Sequence, residues 1–216
     1  MIGLMPSPSR YRKARLSYIG TTLDTSDLTT YTLAGVGIGT PAPDRLVVAV
    51  VMGRAGAGRT ISSVTIGGVT ATAAITSGSQ NNPTGIYYAL VPSGTTATVV
   101  ATFSGGLVRM AVAIYSLTGY RNMVPAATGQ DYNSTTTLST TLNRPADAVV
   151  VAGALTSSNG TFTWTGPTED ADAAIEGGTD RVSSASAAFS AADAAMPVSF
   201  VNTSSGAVSL AAACWT

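Results

Sequence analysis

The segment Leu46-Val-Val-Ala-Val-Val-Met52 decides the fold class of this chain. It is short and rich in β-branched residues, and it is bounded by Pro43-Asp44 and by Gly53. A run of this length with such flanks favours a strand buried on both faces over a helix. The pattern recurs through the first half of the chain, each time ending in turn residues. The recurrences are Ile61 to Ile66, Ile86 to Val91, Thr96 to Phe103 and Val108 to Leu117.

The C-terminal half repeats the pattern. Short strands spaced by about ten residues, without a helical period, predict an all-β antiparallel β-sandwich with a jelly-roll-like double sheet. We expect the sandwich to span residues 21–216, as one unit or as two similar halves at about 30–120 and 134–216. The predicted strands are Ala148 to Leu155, Thr161 to Trp164, Ser183 to Phe189, Val198 to Val201 and Val208 to Trp215, with loops at 157–160 and 203–206.

Two short likenesses motivate the division into halves. Pro43-Asp-Arg-Leu-Val-Val48 resembles Pro145-Ala-Asp-Ala-Val-Val150, and Thr102-Phe-Ser-Gly-Gly106 resembles Ser199-Phe-Val-Asn-Thr203. Composition alone can also produce likenesses this short in a chain so rich in Ser, Thr, Gly and Ala. The sequence therefore leaves one domain and two domains open.

Charge is scarce in this chain. Charged side chains make up 10% of the 216 residues, and 11 basic residues balance 11 acidic ones, whereas an average soluble domain is roughly 25% charged. A surface so poor in charge suggests either that part of it is hidden against partner subunits or that the exterior is extracellular and rich in Thr. It offers no basic footprint, so we expect no nucleic-acid binding by the main body. Polar residues or Gly interrupt every apolar run, so we expect no membrane insertion.

The chain contains no histidine and a single cysteine, Cys214. The commonest general base and every Ser-His or Cys-His nucleophile are therefore absent, as is any Cys/His zinc cluster. We predict a non-enzymatic protein with no catalytic residue and no cofactor site. Gly53-Arg-Ala-Gly-Ala-Gly-Arg-Thr60 nearly matches a phosphate-binding loop, but Arg59 replaces the lysine and a strand-like segment follows, so we interpret it as a glycine-rich strand connection.

An acidic concentration lies at Glu169, Asp170 and Asp172. Carboxylate oxygens of this kind can hold Ca²⁺, although the spacing lacks the central glycine and terminal glutamate of an EF-hand. The alternative is a solvated loop or sheet edge. Calcium is thus the one cofactor left open.

Residues 1–20 predict an extended N-terminal arm. Arg10, Arg12, Lys13 and Arg15 place four of the eleven basic residues within six positions. Such a segment is either a solvated tail or an arm that docks on a neighbouring subunit.

Aromatic side chains that could stack on sugars fall mostly inside predicted strands, where core packing explains them. They include Tyr87, Tyr88, Tyr115, Phe162, Trp164 and Trp215. Four residues between the predicted halves are better candidates for an exposed contact surface: Tyr120, Arg121, Tyr132 and Asn133.

Four stretches carry a resemblance to a known group of proteins: Tyr31 to Gly39, Arg45 to Val50, Val64 to Gly68 and Val91 to Val99. Over roughly residues 30–118 the chain resembles β-sandwich proteins encoded among the structural genes of tailed bacteriophages and gene transfer agents. The resemblance implies a minor virion component, such as a capsid (head) decoration, head spike, or fibre- or tail-associated protein. It brings no catalytic residue with it.

That resemblance sets the expected partners and location. A virion protein would dock on copies of itself and on other virion proteins, as a symmetric homo-oligomer, in a particle assembled in the cytoplasm of the bacterial host. The alternative is a glycan- or receptor-binding adhesion module for host attachment, in which loops hold host-surface glycan.

Overall fold

The computed structural model describes residues 13–78, 80–176 and 178–216, and within these residues it consists of β-strands, turns and loops without a helix. All strand pairings are antiparallel, and the sheets pack in a sandwich-like arrangement. The prediction of an all-β antiparallel sandwich is confirmed. In this part of the chain, accordingly, there is no long apolar helix of the kind that crosses a membrane.

The first half is a sandwich of two sheets. The inner sheet has the order β1-β9-β3-β7-β6 and the outer sheet β2-β8-β4-β5. β1 pairs with β9, β2 with β8 and β3 with β7, so early strands pair with late ones in nested order. Nested pairing over two sheets is the plan of a jelly roll. The strands are β1 (Arg15–Asp24), β2 (Thr30–Gly37), β3 (Leu46–Arg54), β4 (Ile61–Ile66), β5 (Val69–Thr70), β6 (Thr72–Thr76), β7 (Thr84–Leu90), β8 (Thr96–Phe103) and β9 (Arg109–Thr118).

The second half repeats this plan with fewer, longer strands. Its inner sheet has the order β10-β15-β11-β14-β13. These five strands take the same positions, in the same order, as β1-β9-β3-β7-β6 in the first half. The strands are β10 (Ala127–Arg144), β11 (Val149–Thr156), β12 (Phe162–Thr165), β13 (Thr168–Glu176), β14 (Asp180–Ala188) and β15 (Asp193–Trp215).

Two long strands build both sheets of the second half. Up to Thr135, β10 pairs with the end of β15 in the inner sheet; from Thr137 it pairs with the beginning of β15. β12 joins this second part of β15, so the outer sheet has the order β10-β15-β12. The short sequence likenesses fall in equivalent strands, since one precedes β3 and β11 and the other lies in β8 and the first part of β15.

The two inner sheets pack face to face. Leu46, Val48 and Val50 of β3 belong to the same buried cluster as Val149 and Val151 of β11. The alternate residues of both strands face the outer sheets of their own halves, so both strands are buried on both sides. The molecule is therefore a stack of four layers: outer sheet, inner sheet, inner sheet, outer sheet.

Gly153 marks a close approach of the two inner sheets. A Cβ atom at Gly153 would lie 2.2 Å from Val50 Cγ1, far inside van der Waals contact. Only glycine lets β11 approach β3 this closely.

Polar contacts also join the halves. Asp180 is 4% exposed; its two carboxylate oxygens lie 3.0 Å from Arg54 Nε and 3.1 Å from Arg109 Nη1. Arg54 and Arg109 are cross-strand neighbours in the first half, so one carboxylate offsets two adjacent cations. The Tyr115 hydroxyl also reaches across and donates to Asp170 Oδ2 at 2.9 Å.

Several boundaries differ from those predicted from the sequence, and three of the differences change the architecture. β1 begins at Arg15, so residues 15–20 belong to the inner sheet and not to an arm; their moderate alternation was masked by the basic residues before them. The predicted loop at 203–206 is part of β15, because this Ser-rich segment continues a strand as it passes between sheets. The first strand of the second half begins at Ala127 rather than near residue 134.

Candidate functional site

An open pocket lies between β12 and β13 at one corner of the second half. Its volume is about 390 Å³, and its lining residues are Phe162, Thr163, Trp164, Pro167, Thr168 and Glu169. Small-molecule sites typically enclose about 300–1,000 Å³. The pocket thus has room for a small ligand and combines an aromatic surface with one carboxylate.

Trp164 is half-buried and held from several sides. Its indole N–H donates to Ser183 Oγ at 2.8 Å. Phe162 stacks near it, with ring centroids 6.4 Å apart and an interplanar angle of 23°, and Phe200 contacts it edge-on at 5.4 Å. Because these contacts fix the ring, little side-chain entropy remains to be lost when a ligand covers it.

Glu169 supplies the charge of the pocket. Its Oε2 lies 3.2 Å from Ser183 Oγ, so the hydroxyl that accepts from Trp164 is also within hydrogen-bond distance of the carboxylate. Burial raises the pKa of Glu169, and the negative charge of Asp172 raises it further, against the lowering effects of Ser183 and Arg181. The carboxyl group is therefore less well solvated than its exposed position implies.

Asp172 has a structural role beside this pocket. It forms an ion pair with Arg181 across β13 and β14, and its Oδ2 accepts from the Phe162 backbone N–H at 3.2 Å. Asp172 therefore holds the start of β12 against β13.

The three acidic residues of the calcium hypothesis all lie on the edge strand β13, but they do not converge. Asp170 faces Tyr115 at the inner interface, Asp172 binds Arg181, and Glu169 faces the pocket. In the described ranges no group of three His, Cys, Asp or Glu side chains could hold a metal ion. The arrangement does not support calcium at this cluster.

The predicted docking residues are only partly placed. Arg10 and Arg12 lie outside the described residues. Lys13 is exposed, and its Nζ lies 3.3 Å from Asp147 Oδ1 of the second half. Arg15 is exposed at the start of β1, opposite Thr118. Docking of these four residues on another subunit stays a prediction.

The four residues proposed as a contact surface fall into two places. Tyr120 and Arg121 lie in the linker between β9 and β10; Tyr120 is half-buried against the inner-sheet core, and burial raises its pKa. Tyr132 and Asn133 are part of β10, opposite Ser209 and Val208, and so lie within the second half rather than between the halves. Their role in contacts stays a prediction.

Two other sequence features have structural explanations. Ile61 begins strand β4 directly after the glycine-rich segment, so the interpretation as a strand connection is confirmed. Cys214 is fully buried in the core of the second half, where burial raises the pKa of its thiol.

The pocket itself was not inferred from the sequence. In the sequence, the aromatic residues Phe162 and Trp164 and the acidic residue Glu169 are separate features. The alternation Phe-Thr-Trp-Thr at 162–165, followed by Gly-Pro and an acidic segment, was the available signal. It could indicate the site only if β13 was known to fold back beside β12.

No protein-family model matches the chain, and a comparison with curated proteins gives no match. Among solved structures, the chain is similar to a conserved protein of unknown function from Pseudomonas aeruginosa PAO1, with a TM-score of 0.31 and 11% identity, covering 96% of this chain and 91% of that chain. A likeness at this TM-score carries no argument about function.

Proposed function

We propose that this chain is a non-enzymatic structural protein of a tailed-phage or phage-like particle, a head decoration or spike or a fibre- or tail-associated component, that docks on copies of itself and on other virion proteins. The observation that carries the proposal is the lack of charge on the outward faces of the outer sheets. Both faces are rich in hydroxyl groups instead.

In the first half, hydroxyl side chains form a row across the outer sheet. Thr102 of β8 is paired with Thr30 of β2 on one side and with Ser63 of β4 on the other. The Thr30 and Thr102 hydroxyls lie 3.1 Å apart. Thr32 and Thr65 flank Val100 in the next row.

The second half presents a matching face. Ser199 of β15 is paired with Ser139 of β10 and with Thr165 of β12, and Val201 lies between Thr137 and Thr163 in the next row. Val201 is 54% exposed. Asp193, the first residue of β15, is an exposed charge at the margin of this face.

A face of this kind is suited to burial against another subunit. The centres of protein interfaces are depleted in charge, because an unpaired charge is costly to remove from water. Hydroxyl groups can exchange water for a partner's hydrogen bonds at small net cost. Each half carries one such face, so one chain can contact two neighbours.

The edge strands favour contact through faces rather than through strand addition. Five edge strands show a register shift against their neighbour, namely β1, β2, β6, β10 and β13. The short edge strands β5 and β12 show none, and neither do the four pairings of β3 and β11, whereas the internal pairing of β4 with β8 does. Bulges are a common device that prevents edge-to-edge pairing.

The resemblance to phage structural proteins and the jelly-roll plan, which occurs in viral capsid proteins and in lectins, add support by analogy.

Lysine substitutions on the outer faces test the proposal. Thr98→Lys in β8 and Ser199→Lys in β15 each place a cation on one face, and Thr25→Lys in the exposed β1–β2 loop is the matched control. We expect each face variant to reduce incorporation into particles by about tenfold or more, with thermal unfolding unchanged, and the control to incorporate normally. Undiminished incorporation of both face variants would contradict docking through the outer sheets.

The arm is tested separately. Replacing Arg10, Arg12, Lys13 and Arg15 by alanine is expected to weaken incorporation while the isolated protein stays folded. Normal incorporation of this variant would leave the outer faces as the docking surfaces and end the role proposed for the arm.

The second candidate function is a glycan-binding adhesion module, and the pocket between β12 and β13 is the observation that favours it. The pocket shares Thr163 with the margin of the outer face of the second half, whereas the outer face of the first half lies apart from it.

A further inference from the structure

Resting on the adhesion function proposed above, we propose that the pocket between β12 and β13 binds an uncharged saccharide, with Trp164 stacking on one sugar ring and the Glu169 carboxylate accepting hydrogen bonds from ring hydroxyls. Saccharide binding here does not require docking through the outer sheets, although Thr163 borders both the pocket and one outer face.

The shape of the pocket fits one or two sugar rings. It is open to solvent, holds about 390 Å³ and has a rigid indole on its wall. The C–H face of a pyranose is flat and apolar and covers an indole well, whereas its hydroxyl groups point outward around the ring. Thr163 and Thr168 are exposed at the same pocket, where their hydroxyls can exchange hydrogen bonds with that rim.

The charge of the pocket selects against anionic sugars. Glu169 is the one ionisable side chain among the lining residues, and the carboxylate of Asp172 nearby is matched by Arg181. A carboxylate accepts strong charge-assisted hydrogen bonds from hydroxyl groups but repels uronic acids, sialic acids and sulfated sugars.

The aromatic arrangement argues against a quaternary ammonium ligand. Such cations are recognised by several aromatic faces that surround them. Here Phe162 and Phe200 are buried beside Trp164, 5% and 1% exposed respectively, so the pocket offers a single aromatic face. One flat face suits a ring better than a spherical cation.

The chain offers a direct readout of this site. It contains two tryptophans: Trp164 lines the pocket, whereas Trp215 is fully buried and its indole N–H donates to Met123 O at 2.8 Å. A proton–nitrogen NMR spectrum therefore shows one indole signal at the site and one internal control. Loss of a signal in Trp164→Phe assigns them.

The experiment titrates the ¹⁵N-labelled protein with three neutral trisaccharides (maltotriose, cellotriose and tri-N-acetylchitotriose), with trigalacturonate as the anionic probe and with choline as the cationic one. We expect the Trp164 signal to shift saturably with at least one neutral trisaccharide, with a Kd on the order of 1 mM, as for one stacked ring and a few hydrogen bonds. We expect the Trp215 signal to stay in place, and trigalacturonate and choline to leave both signals unmoved.

Glu169→Gln removes the charge at an exposed position without threatening the fold. We expect it to raise the Kd about tenfold, since it replaces charge-assisted hydrogen bonds by neutral ones, whereas the matched control Asp27→Asn, at an exposed loop position, should bind as the wild type does. Equal binding by Glu169→Gln, equal binding of trigalacturonate, or a larger response to choline would overturn the inference.

Saturation-transfer NMR on the same sugars separates the two levels of the proposal. Sugar signals that respond while the Trp164 indole stays unmoved would overturn the pocket but keep the adhesion function at another surface. No response in either measurement with any of the neutral sugars would overturn both, and would leave the particle role to its own incorporation test.

Discussion

The two halves of the molecule share a strand plan but differ at one corner. In the first half, β4 has Val64 and Ile66 fully buried, and the neighbouring inner edge strand β6 carries no charged residue. At the equivalent corner of the second half, β12 buries Phe162 but leaves Trp164 half-exposed, and β13 carries Glu169, Asp170 and Asp172. At this corner the first half has buried apolar side chains on β4, whereas the second half has the pocket.

The difference shows which features belong to the scaffold and which to a site. The buried inner faces, the bulged edges and the uncharged outer faces occur in both halves, so they follow from building and stacking two jelly rolls. The rigid indole and the carboxylate occur in one half, so the shared plan does not require them. We therefore propose that assembly uses the outer faces, which both halves have, and that ligand binding uses the pocket between β12 and β13.

Breaking the contact between the inner sheets should have the largest effect. Asp180→Asn leaves Arg54 and Arg109 adjacent without their shared carboxylate. Removing one partner of a buried ion pair typically costs about 3–5 kcal/mol; because Arg54 is partly exposed, with 25% of its side chain accessible, we expect about 3 kcal/mol. Denaturant unfolding followed by the fluorescence of buried Trp215 measures it, with Asp27→Asn as the control. If the free energy of unfolding falls no more than in the control, the ion pairs of Asp180 with Arg54 and Arg109 do not hold the halves together.

The close approach of the halves at Gly153 is the next target. Gly153→Ala adds a methyl group against Val50, and overpacking a tight core costs about 1–3 kcal/mol. Gly20→Ala is the matched control, because a Cβ there meets nothing within 4 Å. If thermal unfolding gives both variants the same midpoint, the inner sheets are not packed as closely as described.

A smaller loss is expected from the hydrogen bond that crosses the interface. Tyr115→Phe removes the donor to Asp170 and should cost about 1–2 kcal/mol. Tyr132→Phe, at a half-buried position on β10, is the control and should change the free energy of unfolding little. Asp170→Asn in the Tyr115→Phe background completes a double-mutant cycle, and a coupling energy near zero would argue against the contact.

The smallest expected effect concerns Glu169, which lies in the pocket that only the second half has been shown to carry at this corner. The pKa of Glu169 is raised above its ordinary value of 4.5 in the folded protein. Between these two pKa values the native state binds more protons than the unfolded state, so the free energy of unfolding falls as the pH rises through this range. Glu169→Gln has no carboxyl group at this position and should not lose this stability. We expect its melting temperature to exceed that of the wild type at pH 7 and to match it below pH 4.5. A difference that stays constant with pH would assign the effect to packing instead of charge.

Local patterning made the central strands predictable and the edges difficult. β3 and β11 are apolar on both sides and bounded by turn residues, so their sequences indicate buried strands directly. β1, β6 and β13 are edge strands with one partner each and bulges in their pairing; their weak alternation resembles that of a loop. β10 and β15 each pass from one sheet to the other partway along. For this reason β15 contains a Ser-rich segment, residues 203–206, whose sequence predicts a loop.

The candidate site could be predicted only in pieces. Trp164 and Glu169 are five positions apart, but they form one pocket because Gly166, at a φ of 101°, and Pro167 turn the chain from the outer sheet to the inner one. The equivalence of the outer faces likewise depends on register across three strands. Both features are long-range consequences of the fold.

Electron microscopy of particles from the cells that encode this chain, at near-atomic resolution, tests the central claim most directly. We expect the chain to occur in many symmetry-related copies in a particle, with Thr98, Ser199 or both against neighbouring subunits. Recovery of the chain as a free monomer, absent from every particle, would contradict it.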